Sequence, residues 1–415
     1  MTRRTTDVAI LGAGPAGLLM SWALRLHGVS SIVVESASRH HVLNRQRAGV
    51  LEQSSVETLT HFGLGERIAS EGIVHSGVNL QAGGVRHRID CADLVGRTIT
   101  LYSQRDVMHD LSLAHTTNNS DIVYNATHVS VHHLATAHPE VRLATSRGDV
   151  TISADFVVGA DGFHGLSRTL LPASMGTGSH HTYPFAWLGI LANVAPSSSE
   201  LIYALHNSGF ALHSMRSPEV SRFYLQIDPS DTIQHWPDDR VWEALATRLE
   251  VPGWSLRTGQ ITDKTTVPLR SYVAPTFAFQ RLFLVGDAAH IVPPTGAKGL
   301  NAAIADVRLL ATAFADHYAG ADDSLAGYAA AAMAHQWRVQ QFSQGMTELL
   351  HRPTSEFAYR NQLGRLDYLS RSPHAQRSFA EQYTGEAFQP MDAEFTPSGN
   401  TNTTRPHKIA RILHR

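Results

Sequence analysis

The chain has 415 residues, 43% apolar and 17% charged, which excludes a disordered protein and gives enough length for two or three lobes around substantial cores. With 34 Lys and Arg against 36 Asp and Glu there is no overall basic field for nucleic acid or an anionic membrane surface, and no apolar run is long enough to span a bilayer, so neither partner is expected. Cys91 is the single cysteine, which excludes an intrachain disulfide, a cysteine zinc site and an iron–sulfur cluster; no metal is expected, and the reducing cytoplasm is the expected location.

Arg3 and Arg4 followed by the apolar stretch Val8 to Met20 imitate an export signal. The stronger reading is a strand over Asp7 to Leu11 that turns at Gly12 into a helix, because no small-residue cleavage site precedes the next strand-like run, Ser31 to Glu35. A helical stretch is expected from about Leu51 to Ala69, where Val56, Leu59, Phe62 and Leu64 recur at helical spacing. Short strands follow at Ile122 to Tyr124, Val141 to Ala144, Val150 to Ile152 and Phe156 to Val158. A second, strand-rich lobe runs over 176–273, with Phe185 to Ala192, Glu200 to Ala204, Phe210 to Ser214 and Arg222 to Ile227 separated by Ser, Pro and Asn turns. After a strand at Leu282 to Val285 the pattern is helical, with Ala-rich segments at Asn301 to His317 and Ser324 to Thr347. The expected division is therefore 1–175, 176–273 and 274–390, followed by a loosely held tail at 391–415.

Four strand ends carry the chemistry. Gly12-Ala13-Gly14-Pro15-Ala16-Gly17 follows a strand and opens a helix, so its glycines allow a tight turn, close approach of backbone to a pyrophosphate and close helix packing. Glu35 ends the next strand, 23 residues after Gly12, where an acid that binds ribose belongs. Gly159-Ala160-Asp161-Gly162 and Gly286-Asp287-Ala288-Ala289-His290 each set an aspartate and small residues at the carboxyl end of an apolar strand, the ligand-binding edge of an α/β sheet. No second Gly-x-Gly-x-x-Gly follows a later strand, so a separate nicotinamide domain is not expected.

Together these motifs resemble the FAD-binding signatures of single-component FAD-dependent aromatic hydroxylases. Longer stretches narrow the likeness: Arg45 to Gln53, Asp161 to Gly165, Tyr183 to Gly189 and Gly286 to Asn301 are similar to the 4-hydroxybenzoate 3-monooxygenase (p-hydroxybenzoate hydroxylase) family, over about Asp7 to Gly385. The resemblance implies an α/β fold: a Rossmann-like FAD-binding domain of the glutathione-reductase type, a second β-sheet substrate domain and a helical C-terminal region. It makes Gly12, Gly14, Gly17 and Glu35 the dinucleotide cradle, with Arg45, Arg47, Gln104 and Asp287 as further flavin contacts. Lys298, Gly299, Leu300 and Asn301 would lie at a helix start against the flavin ring, where the helix dipole and the Lys298 cation favour the anionic reduced form. Arg222 would help to hold a mobile flavin.

For substrate, the resemblance implies a carboxylate clamp of Ser214, Arg216 and Tyr224, with Arg216 donating two parallel hydrogen bonds. Tyr203 and the Pro294 carbonyl would meet the phenol, and Tyr383 and His75 would relay its proton to solvent, the histidine with a pKa near its ordinary ~6.5. His164 and Arg270 would handle NADPH or NADH; the segment Ser36 to His41, with Arg39, leaves the choice between the two open. The implied activity is 3-hydroxylation of 4-hydroxybenzoate to 3,4-dihydroxybenzoate with FAD, NAD(P)H and O2. Hydroxylation of 4-aminobenzoate or another para-substituted benzoate is the nearest alternative, a non-catalytic flavin sensor or scaffold the alternative of another class, and a homodimer stays open.

Overall fold

The computed structural model describes residues 2–44, 49–321 and 323–386. Two large sheets and a small one form a mixed α/β fold with a helical C-terminal region. In the first sheet, Thr2–Leu11 pairs in parallel with Ser31–Val34 on one side and Gly148–Gly159 on the other, and Gly148–Gly159 pairs in parallel with Leu282–Leu284. Val8 to Leu11 are all buried, as a central parallel strand covered on both faces requires. The apolar start that imitates an export signal is thus the middle of this sheet and the helix Pro15–Leu26 that crosses it, with Leu18, Leu19, Met20, Ala23 and Leu24 in the core. Pro15 sits at the first helical position, where its missing N–H costs nothing.

Two expectations change here. The runs Val150 to Ile152 and Phe156 to Val158 are one strand, Gly148–Gly159, because its whole length pairs with Thr2–Leu11, from Thr2 opposite Val150 to Leu11 opposite Gly159. The single helix expected from Leu51 to Ala69 is instead a strand, Val50–Glu52, followed by helices Gln53–His61 and Glu66–Glu71. The break falls at Gly63, whose φ of +76° lies in the left-handed region, and Phe62 and Leu64 bury themselves from the connecting loop. Trp22 Nε1 donates to the Phe62 carbonyl at 2.8 Å and fixes that loop to the first crossover helix.

The second sheet runs in the order His290–Ile291, Gln260–Val273, Ser179–Asn193, Val220–Ile227, Gly209–Met215, Ile202–His206, Gly77–Ala82 and Val85–Asp90. Its last two strands come from a hairpin within the first 175 residues, and its first from the segment just after Asp287, so three separate stretches of the chain build this sheet. One face is closed by a helix without a counterpart in the sequence pattern, Asp238–Arg248, which buries Val241, Leu245 and the stem of Arg248. Arg248 Nη1 donates to the carbonyls of Phe210 and Gln226, which ties the helix end to two strand ends. The opposite face meets the long helix Ser324–Leu350 and the helices Glu356–Arg371 and Pro373–Thr384. Among the described residues no helix is long and apolar enough to cross a membrane, and no cluster of His, Cys, Asp and Glu could hold a metal ion.

The glycines of the first turn differ in what they tolerate. A Cβ on Gly17 would overlap the Gly12 carbonyl, and one on Gly12 would lie 2.5 Å from the Ala160 carbonyl, whereas nothing lies within 4 Å of the Gly14 position. Gly17→Ala is therefore expected to destabilise the fold by about 1–3 kcal/mol, measured by urea unfolding, while Gly14→Ala leaves the midpoint unchanged.

Candidate active site

Between the two sheets lies a cavity of about 1330 Å³, room for a dinucleotide and a small aromatic molecule together. Its first end is built by the strand ends of the parallel sheet. Gly12, Gly14, Glu35 and Asp287 line it, whereas Gly17 does not and serves the packing of helix on turn. The Glu35 carboxylate accepts from the backbone N–H of Ala13 and of Ala37, both at 2.7 Å, so it ties the glycine turn to the next strand end as well as facing the cavity. Asp161 accepts from the backbone N–H and the hydroxyl of Ser167, closing the loop that carries Phe163 and His164. Burial raises its pKa, opposed by those hydrogen bonds. The Gly286 turn, at φ +60°, is held from behind by Asp306, which accepts from Gly286 N at 2.9 Å and pairs with His290 at 2.6 Å.

In the middle of the cavity Gln104, Gly299 and Leu300 line the wall, and the helix Gly299–Tyr318 points its N-terminus inward. Two residues expected there do not line it. Lys298 is 3% exposed, and its ammonium is bound by the Glu52 carboxylate and by the Gln382 and Tyr383 carbonyls, so its charge is neutralised within the protein. Asn301 accepts from Glu52 N and donates to the carbonyls of Val50 and Ala297, bracing the helix start against the strand Val50–Glu52. Arg45 and Arg47 lie outside the described residues. An elongated wall of glycines with open space above Gly14 and a helix N-terminus fits FAD.

At the far end the cavity is lined by Trp187, Tyr203, Ser214, Arg216, Tyr224 and Pro294. Ser214 lies in the strand Gly209–Met215 and Arg216 just past its end, so the two point the same way as expected. Burial and the neighbouring Arg222 both press the Arg216 pKa below its usual range, and a bound anion relieves both. Arg222 also lines the cavity, its guanidinium 5.2 Å from the Tyr224 ring. Opposite, the Tyr203 and Tyr383 hydroxyls are 3.4 Å apart. Burial pushes Tyr203 up to about 12 and Tyr383 well above the usual phenol range, so both stay protonated at neutral pH. The Pro294 carbonyl accepts from Ala297 N at 2.9 Å, and the short turn so formed aims Pro294 at the cavity.

His75 departs from expectation. It is 2% exposed, neither ring nitrogen has a hydrogen-bond partner, and burial lowers its pKa to about 4, partly offset by Glu200. It is a neutral buried imidazole rather than one that titrates near its ordinary value, and no hydrogen bond joins it to Tyr383. At the mouth, His164 and Arg270 line the cavity, with the Arg270 guanidinium 4.0 Å from the Phe163 ring. Arg168, overlooked in the sequence because nothing local marks it, stacks on the same ring at 4.0 Å and on Tyr272 at 4.7 Å. Arg39 Nη2 donates to Ser112 and Thr116, each at 2.9 Å, and so is held by the helix Gln104–Thr117.

His75, His213 and His351 are all buried, with pKa values lowered by burial to about 4, 4 and 3. The unfolded chain then binds more protons than the folded one as pH falls below ~6.5, so stability drops from there towards about pH 4, with a slope of up to about 1.4 kcal/mol per pH unit for each histidine. Urea midpoints between pH 7 and 5 are expected to fall accordingly. His213→Gln, which lies away from the cavity, should flatten the profile; an unchanged slope would show that this histidine is not a source of it.

A family model described as "FAD binding domain" matches residues 5–343. The p-hydroxybenzoate hydroxylase of Acinetobacter baylyi is 39% identical over 394 residues, covering 94% of this chain and 97% of that protein. The 3-(3-hydroxy-phenyl)propionate/3-hydroxycinnamic acid hydroxylase of Paraburkholderia xenovorans is 25% identical, covering 93% of this chain and 61% of that protein. Among solved structures, p-nitrophenol 4-monooxygenase from Pseudomonas putida superposes with a TM-score of 0.78 at 19% identity, covering 93% of this chain and all of that one, a likeness of fold. With the FAD-shaped wall of the cavity and these matches over most of its length, the chain belongs to the FAD-binding-domain family and is an FAD-dependent aromatic hydroxylase.

Proposed function

We propose that the protein hydroxylates 4-hydroxybenzoate at the 3-position, with NADPH or NADH as electron donor and O2 as oxygen source. The observation that carries this reading is the two-ended slot, with an unpaired, desolvated Arg216 beside Ser214 and Tyr224 at one end and the Tyr203–Tyr383 pair with the Pro294 carbonyl at the other. A benzoate with a para hydroxyl matches both ends. The 39% identity to a protein named p-hydroxybenzoate hydroxylase supports the same substrate.

Each group then has a task. Arg216 holds the carboxylate through its planar fork, with Ser214 and Tyr224 completing the cradle. Tyr203 meets the phenol and, through Tyr383, gives its proton a path that needs neither tyrosine to ionise. Removing that proton pushes electron density onto the ring carbon ortho to the oxygen, the position to be hydroxylated. The chemistry that FAD would supply here, once reduced by the pyridine nucleotide, is delivery of one oxygen atom of O2 to that carbon, the other leaving as water. The walls formed by Trp187, Leu212 and Pro294 keep water from that site. Gly12, Gly14, Glu35, Gln104, Asp287, Gly299 and Leu300 would hold the flavin, and Arg222 its mobile ring. Arg270, with Arg168 behind it, offers positive charge to the phosphates of the pyridine nucleotide, and His164 lies beside them on the wall. Lys298 acts at a distance, through the helix start that its ion pair with Glu52 fixes.

Arg216→Lys replaces the fork by a point charge and is expected to weaken 4-hydroxybenzoate binding by about 1.5–3 kcal/mol, roughly ten- to hundredfold, with FAD content unchanged. Equal affinity in the variant would place the clamp elsewhere.

Tyr203→Phe should leave carboxylate binding nearly intact and uncouple the reaction, because the phenol keeps its proton and the ring is a poorer nucleophile. The measurement is dihydroxylated product per NAD(P)H oxidised, with hydrogen peroxide assayed in parallel, on 4-hydroxybenzoate and 4-aminobenzoate. Wild-type coupling with 4-hydroxybenzoate in this variant would overturn phenol activation by Tyr203 and favour the para-amino substrate, whose ring needs no deprotonation.

A further inference from the structure

We infer that His351, a residue that does not line the cavity, sets the geometry of the aromatic slot by holding the Trp187 indole. The inference rests on the reading of that slot as the site of a para-substituted benzoate. Trp187 Nε1 donates to His351 Nε2 at 2.6 Å, while His351 Nδ1 faces the Thr347 carbonyl at 2.9 Å. A carbonyl only accepts, so Nδ1 carries the proton and Nε2 is left as an in-plane acceptor for the indole. The imidazole is wedged between aromatic rings, stacked on Phe185 at 4.4 Å and 6° and on Phe210 at 4.5 Å and 28°.

Those neighbours reach both ends of the slot. Trp187 lies 4.7 Å from the ring of Tyr224, at the carboxylate end, and Phe210 lies 6.3 Å from the ring of Tyr203, at the phenol end. The same helical turn also meets the Pro294 loop, since the Thr347 and Thr295 hydroxyls are 2.9 Å apart. Burial keeps His351 neutral, with a pKa lowered to about 3, so the acceptor persists through the pH range of any assay. An indole without this acceptor has an unpaired buried N–H and two faces about which to tilt, and either response alters the slot width between Tyr203 and Tyr224. His351 is thus a positioning residue that acts through Trp187.

The test uses the FAD holoenzyme with three variants. His351→Phe keeps a ring in the stack and removes the acceptor, His351→Gln restores an acceptor near the same place, and Trp187→Phe removes the donor. Binding of 4-hydroxybenzoate, followed by the flavin absorbance difference, is expected to weaken on the order of tenfold in His351→Phe, with FAD content unchanged, and to recover in His351→Gln. On the Trp187→Phe background His351→Phe should add nothing further. Additive losses, or equal binding in all variants, would overturn the inference. If the parent protein does not bind 4-hydroxybenzoate, the substrate reading fails by itself. The inference is then read from the Trp187 indole proton in NMR, assigned by its loss in Trp187→Phe. It should shift in His351→Phe and hold in His351→Gln, and an unmoved signal would refute the role. Should His351→Phe not fold, His351→Leu, which also removes the acceptor, takes its place in the cycle with Trp187→Phe and decides in the same way.

Discussion

The structure depends on the close meeting of four parallel strand ends in the first sheet. Ala160 N donates to Leu11 O at 2.8 Å, Val285 N to Gly159 O at 3.0 Å, and Gly12 N to Val34 O at 2.7 Å, so the turns after these strands share one small volume. A Cβ at Gly12 would strike Ala160, and one at Gly159 would strike Ser167. Side chains are excluded there by sterics, so a ligand can approach the backbone closely. The acids beside these turns, which repel a phosphate, are turned to a second use. Glu35 and Asp306 take backbone N–H groups of the very turns they flank, and Asp161 takes the backbone and hydroxyl of Ser167, so each negative charge stiffens the turn beside it.

The far end of the cavity is governed by the opposite economy of charge. Lys298 is neutralised by Glu52, both tyrosines are held protonated by burial, and His351 and His75 are held neutral. Arg216 and Arg222 are left as neighbouring cations on the wall, and burial together with Arg222 lowers the Arg216 pKa against the opposing pull of Asp106. A desolvated guanidinium is costly, and a carboxylate bound beside Arg216, as in the proposed substrate, would offset that cost.

What the sequence disclosed is what is local. The glycine turn, Glu35 and the Gly286 to His290 loop lie within single strand–turn–helix units, so their spacing alone places them. The strand Val50–Glu52 was hidden because three residues carry no period, and the break at Gly63 because Phe62 and Leu64 keep helical spacing while sitting in a loop. The hairpin Gly77–Asp90 joins the second sheet through pairing of Gly77–Ala82 with Ile202–His206, more than a hundred residues away. Distance also explains the site residues that moved. Lys298 meets Glu52 and Asn301 meets Val50 across some 250 residues, and His351 meets Trp187 across 164, so no window of sequence contains both partners.

The helix Ser324–Leu350 explains how ends built by separate sheets keep one geometry. Its first turns bury Tyr328 in the first core, where the hydroxyl donates to Leu284 O at 2.7 Å, just before the Gly286 turn. Midway, Gln340 donates to Ile291 O and Tyr272 O, holding the short strand that leads to Pro294. Its end carries Thr347 against Thr295, and His351 against Trp187. A helix of 27 residues with intact backbone hydrogen bonds resists bending, so these contacts stand at fixed separations. The distance from the flavin-binding turns to the aromatic slot is therefore set by one rigid element rather than by the loops between the sheets, and oxygen transfer to a single ring carbon demands that kind of fixed distance.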